Sequence, residues 1–479
     1  MLDLFAENAY LVAVNLQKIE RMIGKTPTEH QMSIFEVALE SFIDMNHELV
    51  LLSKQIDWSE MESDFAEYYC ADNGRPSVPI RTMVGMMLLK NIYNLSDEGV
   101  VARWVENPYM QYFTGEKVFR KRPPMNPIDM SKFRVRIGES GAEKILRISL
   151  MVNAEEVTEK ELEQVMIDST VQEKNITFPT DAKFYRKIIE RVLKMSAREH
   201  IRLRRSYTRE VKALKLKVRF MNHPKRKKEG LKAVRRLRTI AKAMVNDISR
   251  KLSDAQMSFY RKDIDLYLRV IRQERGDKDK VYSLHEPEVE CISKGKEHKK
   301  YEFGNKSAIV KTGSGLIVGA LAFHGNPYDG HTLPAHLEQV RRLTGCTPKE
   351  ALTDRGYRGK KCVGGTEISI PSSGTQGQSY YQKRKARKKF CRRAGIEPVI
   401  GHLKSDHRMI RNYLKGTLGD AINTMMAAAA FNMRHWMNKH AMPYFVSMLL
   451  ALVKLLRNMS SEDETRHACW RSTLAAVAK

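Results

Sequence analysis

The chain has 479 residues, 83 Lys+Arg against 56 Asp+Glu, a formal net charge of +27, and 42% hydrophobic residues. That apolar fraction can bury a sizeable core, which excludes a disordered basic tail protein, and the length corresponds to roughly two to four domains. No basic leader opens the sequence, the longest mainly apolar run near the end is only Ala441 to Val453, and six cysteines show no C-x-x-C pair; the expectation is a reduced, soluble, intracellular protein whose excess charge needs a polyanion.

In chain order, residues 1–56 read as a helical segment, with apolar stripes at Leu11, Val14, Ile19 and Phe35, Leu39, Phe42. Residues 57–150 form a second helical block. There, Pro76 and Pro79 precede an apolar helix from Met83 to Ile92, Ser96 caps a helix that carries Asp97 and Glu98 in its first turn, and Met130-Ser131-Lys132 starts another. Short helices with tight turns suit a helix-turn-helix-like module or a plain helical bundle equally. Trp104 is expected to pack inside this block.

Strands begin at Val165–Thr170, apolar and β-branched with Asp168 near the end, and Asn175–Pro179 reads as a second extended piece. A basic helical segment follows, broken at Asn222-His223-Pro224 and resuming from about Gly230 to Leu252, as a hairpin inserted at about 183–280. Tyr301–Lys311 and Gly315–Phe323 read as a hairpin around Thr312-Gly313-Ser314-Gly315. A helix over His331–Leu343, a strand Ala351–Thr353 ending at Asp354, and a strand Glu367–Ile370 come next. One long helical region then carries a basic run and Glu397, and helices over Asp420–Lys439 and Tyr444–Arg457 make up a C-terminal part, 411–479.

The charge is concentrated. Residues 183–252 hold 25 basic and 5 acidic residues, residues 383–393 hold eight basic and no acidic ones, and the rest of the chain carries 50 basic against 51 acidic. Seventy residues at +20 repel one another unless something neutralises them, and a phosphate backbone does so through Lys and Arg contacts. Nucleic-acid binding is the expectation.

With the basic segment set aside, residues 160–410 run strand, two-stranded hairpin, helix, strand, strand, helix. That order is compatible with an α/β, ribonuclease-H-like catalytic domain in which the first and fourth strands are neighbours. Asp168, Asp354 and Glu397 would then converge at one sheet edge. Paired Mg²⁺ ions need such bridging and terminal carboxylates to stabilise the attacking and leaving oxygens of a displacement at phosphorus. On one continuous helix Arg393 and Lys404 would project to the same side as Glu397, although Pro398 kinks it or marks a first turn. Asp181 and Asp329 read as turn or capping acids, and the histidines show no zinc spacing.

These residues carry a family resemblance. Val-Met-Ile-Asp168-Ser-Thr, Ala-Leu-Thr-Asp354-Arg-Gly-Tyr-Arg-Gly-Lys and Phe390-x-x-Arg393-x-x-x-Glu397-x-x-x-x-x-x-Lys404 resemble, in order and spacing, the blocks of bacterial insertion-sequence transposases of the DDE class, specifically the insertion-sequence-five family. Phe390 stands where that family has Tyr. Asn73 to Glu116 and His324-Gly-Asn-Pro-Tyr-Asp329-Gly-His331 also look familial. The resemblance covers roughly residues 55–440. It implies a transposase that binds terminal inverted repeats and catalyses cleavage and strand transfer with two Mg²⁺ ions (or Mn²⁺) on Asp168, Asp354 and Glu397. DNA contacts would fall to Arg355, Lys388, Lys389, Arg392, Arg393 and Lys404. The implied partners are double-stranded DNA and a second copy of the chain, as a homodimer or larger synaptic oligomer, in the bacterial cytoplasm at the nucleoid and with no membrane. The alternatives are a DDE nuclease without strand transfer and a non-catalytic repressor.

Overall fold

The computed structural model describes residues 22–24, 37–70, 76–274, 276–293, 300–371 and 379–440, with positions 449 and 452. Most of the expected helix over the first fifty residues, and the one over Tyr444–Arg457, lie outside these. Within them, residues 37–47 form a 3-10 turn, Leu39–Ser41, and bends. The first helix is α1, Glu48–Gln55, whose Leu49 N–H is capped by the His47 ring.

Helices α2 (Trp58–Ala66), α3 (Ile80–Ile92), α4 (Asp97–Glu106), α5 (Pro108–Phe113) and α6 (Pro127–Val152) follow. In α3 every residue except Arg81 is buried, the polar Thr82, Lys90 and Asn91 among them, so this mainly apolar helix forms the axis of the block. Ser96 accepts from Gly99 N–H at 2.9 Å and starts α4 where its position indicates. The helix expected to start at Met130 begins three residues earlier, because Asn126 and Asp129 form a capping box and Pro127 suits the first turn. Trp104 is fully buried and donates to Thr114 Oγ1 at 2.7 Å.

After the short α7 (Glu159–Leu162) comes β1 (Gln164–Lys174), the central strand of a mixed sheet that has eight strands among the described residues. The others are β2 (Glu290–Ser293), β3 (Tyr301–Lys311), β4 (Ile317–Phe323), β5 (Glu350–Leu352), β6 (Cys362–Val363), β7 (Thr366–Ser369) and β8 (Arg411–Asn412). On one side β1 pairs antiparallel with β3 through Met166–Glu173; on the other it is parallel to β5 at Gln164–Met166 and to β8 at Glu173–Lys174. The expected neighbours, first strand and fourth, are therefore adjacent. Among the described residues no strand pairs with β1 between β5 and β8 on that side, so the sheet opens beside Asp168. Asn175–Pro179 is not a strand: Asn175 N–H bonds Asn412 O, and the chain then bends away from the sheet.

Among the described residues between β1 and β2 lie four α-helices rather than a two-helix hairpin: α8 (Asp181–Arg198), α9 (Thr208–Arg219), α10 (Lys227–Ser249) and α11 (Asp254–Arg272). Two breaks are added to the expected one at 222–224: one at 250–253, and one between α8 and α9, where His200 and Tyr207 take left-handed φ values of 54° and 53°. α8, α10 and α11 build a core of their own, including Ile188, Val192, Leu237, Ile240, Met244 and Ile264, separate from the main one, and α9 lies against it through half-buried Val211, Leu214 and Val218. α9 contributes no buried residue and is basic along its length.

The main core joins the N-terminal helices to the sheet, to α12 (Asp329–Thr344) and to α15, a helix over 416–440. Asn432 on α15 holds three elements together, donating to Ser149 Oγ and Ile317 O and accepting from Ile317 N–H. The predicted long helix around Glu397 is two helices, α13 (Tyr380–Ala394) and α14 (Ile396–Ser405), parted at Gly395. Pro398 has no N–H to offer the Ala394 carbonyl, so the hydrogen-bond ladder cannot run through.

Candidate active site

The site begins with three apolar residues. Met166 and Leu352 are opposite each other as the last pair of the parallel β1–β5 ladder, and Ile396 of α14 packs on both, with Ile400 beside them. Asp168 and Asp354 each follow two residues after that pair, and Glu397 directly follows Ile396. Burial of this small cluster therefore brings the backbones of all three predicted acids to one place, beside the opening in the sheet. Side chains alternate along a strand, so Met166, Asp168 and Gln172 share a face. Met166 touches α14 and Gln172 bonds Thr424 of α15 at 2.9 Å, which leaves Asp168 between the two helices.

Each acid is held differently. Asp168 Oδ1 accepts from Ser169 N–H at 2.8 Å, and Oδ2 accepts from Arg393 Nη2 at 3.1 Å. Their side chains are only 15% and 17% exposed, so this ion pair is shielded more than a surface one. Asp354 Oδ1 caps the 3-10 turn Arg355–Tyr357 by accepting from Gly356 N–H at 2.8 Å. Glu397 is exposed in the first turn of α14, where the helix dipole favours an anion.

A fourth acid joins them. Asp329 opens α12, as a capping acid would, and is paired with Lys306 Nζ of β3 at 3.1 Å. A methyl group on Gly356 would lie 2.9 Å from Asp354 Oδ1 and 3.1 Å from Asp329 Oδ2, so both carboxylates close on one backbone position. Beneath them Tyr357 is 0% exposed, and burial together with the negative fields of Asp329, Asp168 and Asp354 pushes its phenol well above the usual tyrosine range. It stays protonated. The sequence carried a weak signal for this: Lys306 is a cation in the middle of a strand, where an acid partner is needed. Asp181, in contrast, opens α8, outside this group.

The basic residues separate into two groups. Arg393 leaves α13 to bind Asp168 and does not share a helix face with Glu397, because the helix breaks at Gly395. Lys389 is tied to Glu350, with Ser369 Oγ 3.1 Å away, and so anchors α13 to β5 and β7. Arg355, Lys388 and Arg392 are exposed, and Lys404 lies half-buried in the last turn of α14. For a metal, the donor chemistry fits: carboxylate oxygens and no soft ligand are what Mg²⁺ takes. Among the described residues, however, no three His, Cys, Asp or Glu side chains stand close enough to hold an ion as they are placed.

Residues 37–136 match a family described as Transposase domain (DUF772), and residues 271–433 match one described as Transposase DDE domain. A protein of Rhizobium meliloti, named Uncharacterized protein ORF8 in nfe locus, is 36% identical over 199 residues, covering 41% of this chain and 96% of the relative. The chain belongs to the DDE transposases. No solved structure matches. In this transposase the DDE-domain match contains Asp354 and Glu397 and starts after Asp168 and most of the basic helices. Among the described residues no helix is long and apolar enough to cross a membrane.

Proposed function

We propose that this transposase, of the insertion-sequence-five type, binds the terminal inverted repeats of its element, cuts the DNA there and joins the freed 3′-OH to target DNA. The supporting observation is the Met166–Leu352–Ile396 cluster, around which lie three acids from β1, the turn after β5 and α14, outside the end of a parallel strand pair, the crevice where α/β sheets place their chemistry. In this reading the sheet is a ribonuclease-H-like core, α8–α11 are an insertion in it, and the two Mg²⁺ ions (or Mn²⁺) would be held by Asp168, Asp354 and Glu397. When bound, such ions polarise the phosphoryl group and stabilise the attacking and leaving oxygens. The chain's own groups do the rest. Arg393 keeps Asp168 oriented and supplies positive charge where scissile phosphate arrives. Arg355, Lys388, Arg392 and Lys404 line the approach on the flanking turns and helices. The surplus charge of α8–α11 binds the duplex beyond the cut, and two copies synapse the two ends.

A joining assay with pre-cut element ends and a supercoiled target tests this reading. Strand transfer is expected in Mg²⁺. Cleavage of uncut ends with no joining would convert the reading to a nuclease, and neither reaction, with DNA binding intact, would favour a repressor.

A further inference from the structure

At the end of β1 away from the proposed acids, residues 175–180 turn into α8. That turn, the start of α8 and residues 282–285 line a shallow cleft in the surface. The depression itself is too shallow to enclose more than about one water, so anything larger must lie across its rim, against exposed side chains. Phe178 stands at its rim, 63% exposed. Its ring meets Phe303 edge-on at 5.5 Å, and Phe303 is in turn 5.5 Å from Tyr282, which also lines the cleft. One side of Phe178 is thus braced and the remainder is open.

Charge surrounds the same cleft. Lys183 and Lys187 of α8 line it, and Lys183 Nζ donates to Phe178 O at 2.9 Å, fixing the turn. Burial, with Arg191, Lys183 and Arg186 nearby, draws the Lys187 ammonium below its ordinary range, while Glu190, itself paired with Arg186, opposes. An exposed aromatic ring beside a crowd of cations is the composition with which proteins hold single-stranded nucleic acid: the ring stacks a base and the cations follow the backbone.

We propose that the rim of this cleft binds an unpaired nucleobase of the DNA, stacked on the exposed side of Phe178, with the adjoining phosphate held by Lys183 and Lys187. The proposal rests on the DNA-processing reading above and adds a second contact, specific to unpaired strand. Asp168 and Lys174 are six strand residues apart, about 20 Å, so the held base lies several nucleotides from the reacting phosphate.

The test uses the full chain and two probes, a blunt duplex and the same duplex with an oligo-dT tail containing 2-aminopurine. Wild type is expected to bind the tailed probe more tightly and to quench the aminopurine. Phe178→Ala, at an exposed position, is expected to lose about tenfold affinity for the tailed probe, with its quenching, and to keep blunt-duplex affinity. Lys187→Gln should lower the salt slope of tailed binding alone. Equal weakening on both probes, or an unchanged tailed affinity, would overturn the cleft. Tight blunt binding by wild type with no preference for the tail would overturn it too and leave the transposase reading standing. Failure to bind either probe would sink both.

Discussion

Arg393 Nη2 lies 3.1 Å from Asp168 Oδ2, joining the end of α13 to the central strand across 225 residues of sequence. The pair places a cation on the carboxylate that the proposed chemistry assigns to a metal. Arg393→Ala is therefore expected to tighten Mn²⁺ binding to the DNA-free protein several-fold, since a shielded pair of this kind is worth about 1 kcal/mol. The same substitution should weaken binding of element ends. Calorimetric titration reads the first effect, and unchanged or weaker Mn²⁺ binding would show that Arg393 does not compete for Asp168.

Gly356 is where Asp354 and Asp329 meet. Gly356→Ala should destabilise the fold by about 1–3 kcal/mol through crowding, measured by denaturant unfolding. Adding Asp329→Ala should recover part of that loss, because one of the two crowded oxygens is gone. Additive losses in the double variant would contradict the shared position.

The basic helices carry the salt dependence of DNA binding. Arg209, Lys212 and Lys215 are exposed on α9, which has no buried residue, so changing all three to Gln leaves the core intact. The log–log salt slope should fall by roughly 0.9 for each phosphate that these side chains neutralise. An unchanged slope would move the duplex surface away from α9.

Acid sensitivity traces to a buried triad in the N-terminal helices. Burial alone would raise the Asp97 carboxyl, but Arg134 and Lys90 outweigh it and hold it down at about 2. The unfolded value is near 3.9, so this stability is fully present above about pH 5 and is lost as pH falls from 4 toward 2. Asp420, raised to about 6 by burial despite Lys174, acts in the opposite direction: its contribution is present below about pH 4 and lost as pH rises through 6. Asp97→Asn should cost about 3–5 kcal/mol near neutral pH and remove the acid limb. A limb of wild-type size in that variant would place it elsewhere.

Parts of this fold were legible because local pattern and tertiary context agree. Val165–Thr170 is β-branched and central, Thr312–Gly315 has turn composition, and Ser96 precedes acids, so β1, the β3–β4 hairpin and α4 stand where the pattern indicates. The pairing of β1 with β5 was expected from the likeness of the element order to a ribonuclease-H-like sheet. Other features depended on distant partners. β2, β6 and β8 have four residues or fewer and no period to read. The break at Gly395 depends on a proline three residues later, and it redirected Arg393 from Glu397 to Asp168. Lys389 looked like one more exposed cation until Glu350, 39 residues away, took it. Asp329 read as a capping acid, which it is; only the approach of the Gly356 turn showed that it also faces Asp354.

The most direct test is the rate of element-end cleavage by Asp354→Asn in Mg²⁺. Asn can still accept from Gly356 N–H, so the turn is kept while a carboxylate is removed. The rate should fall by about 10³-fold or more, the loss of several kcal/mol of transition-state stabilisation, with end-binding affinity retained. Cleavage within about tenfold of wild type, a loss no larger than about 1.4 kcal/mol, would contradict a carboxylate-centred phosphoryl-transfer site at Asp354.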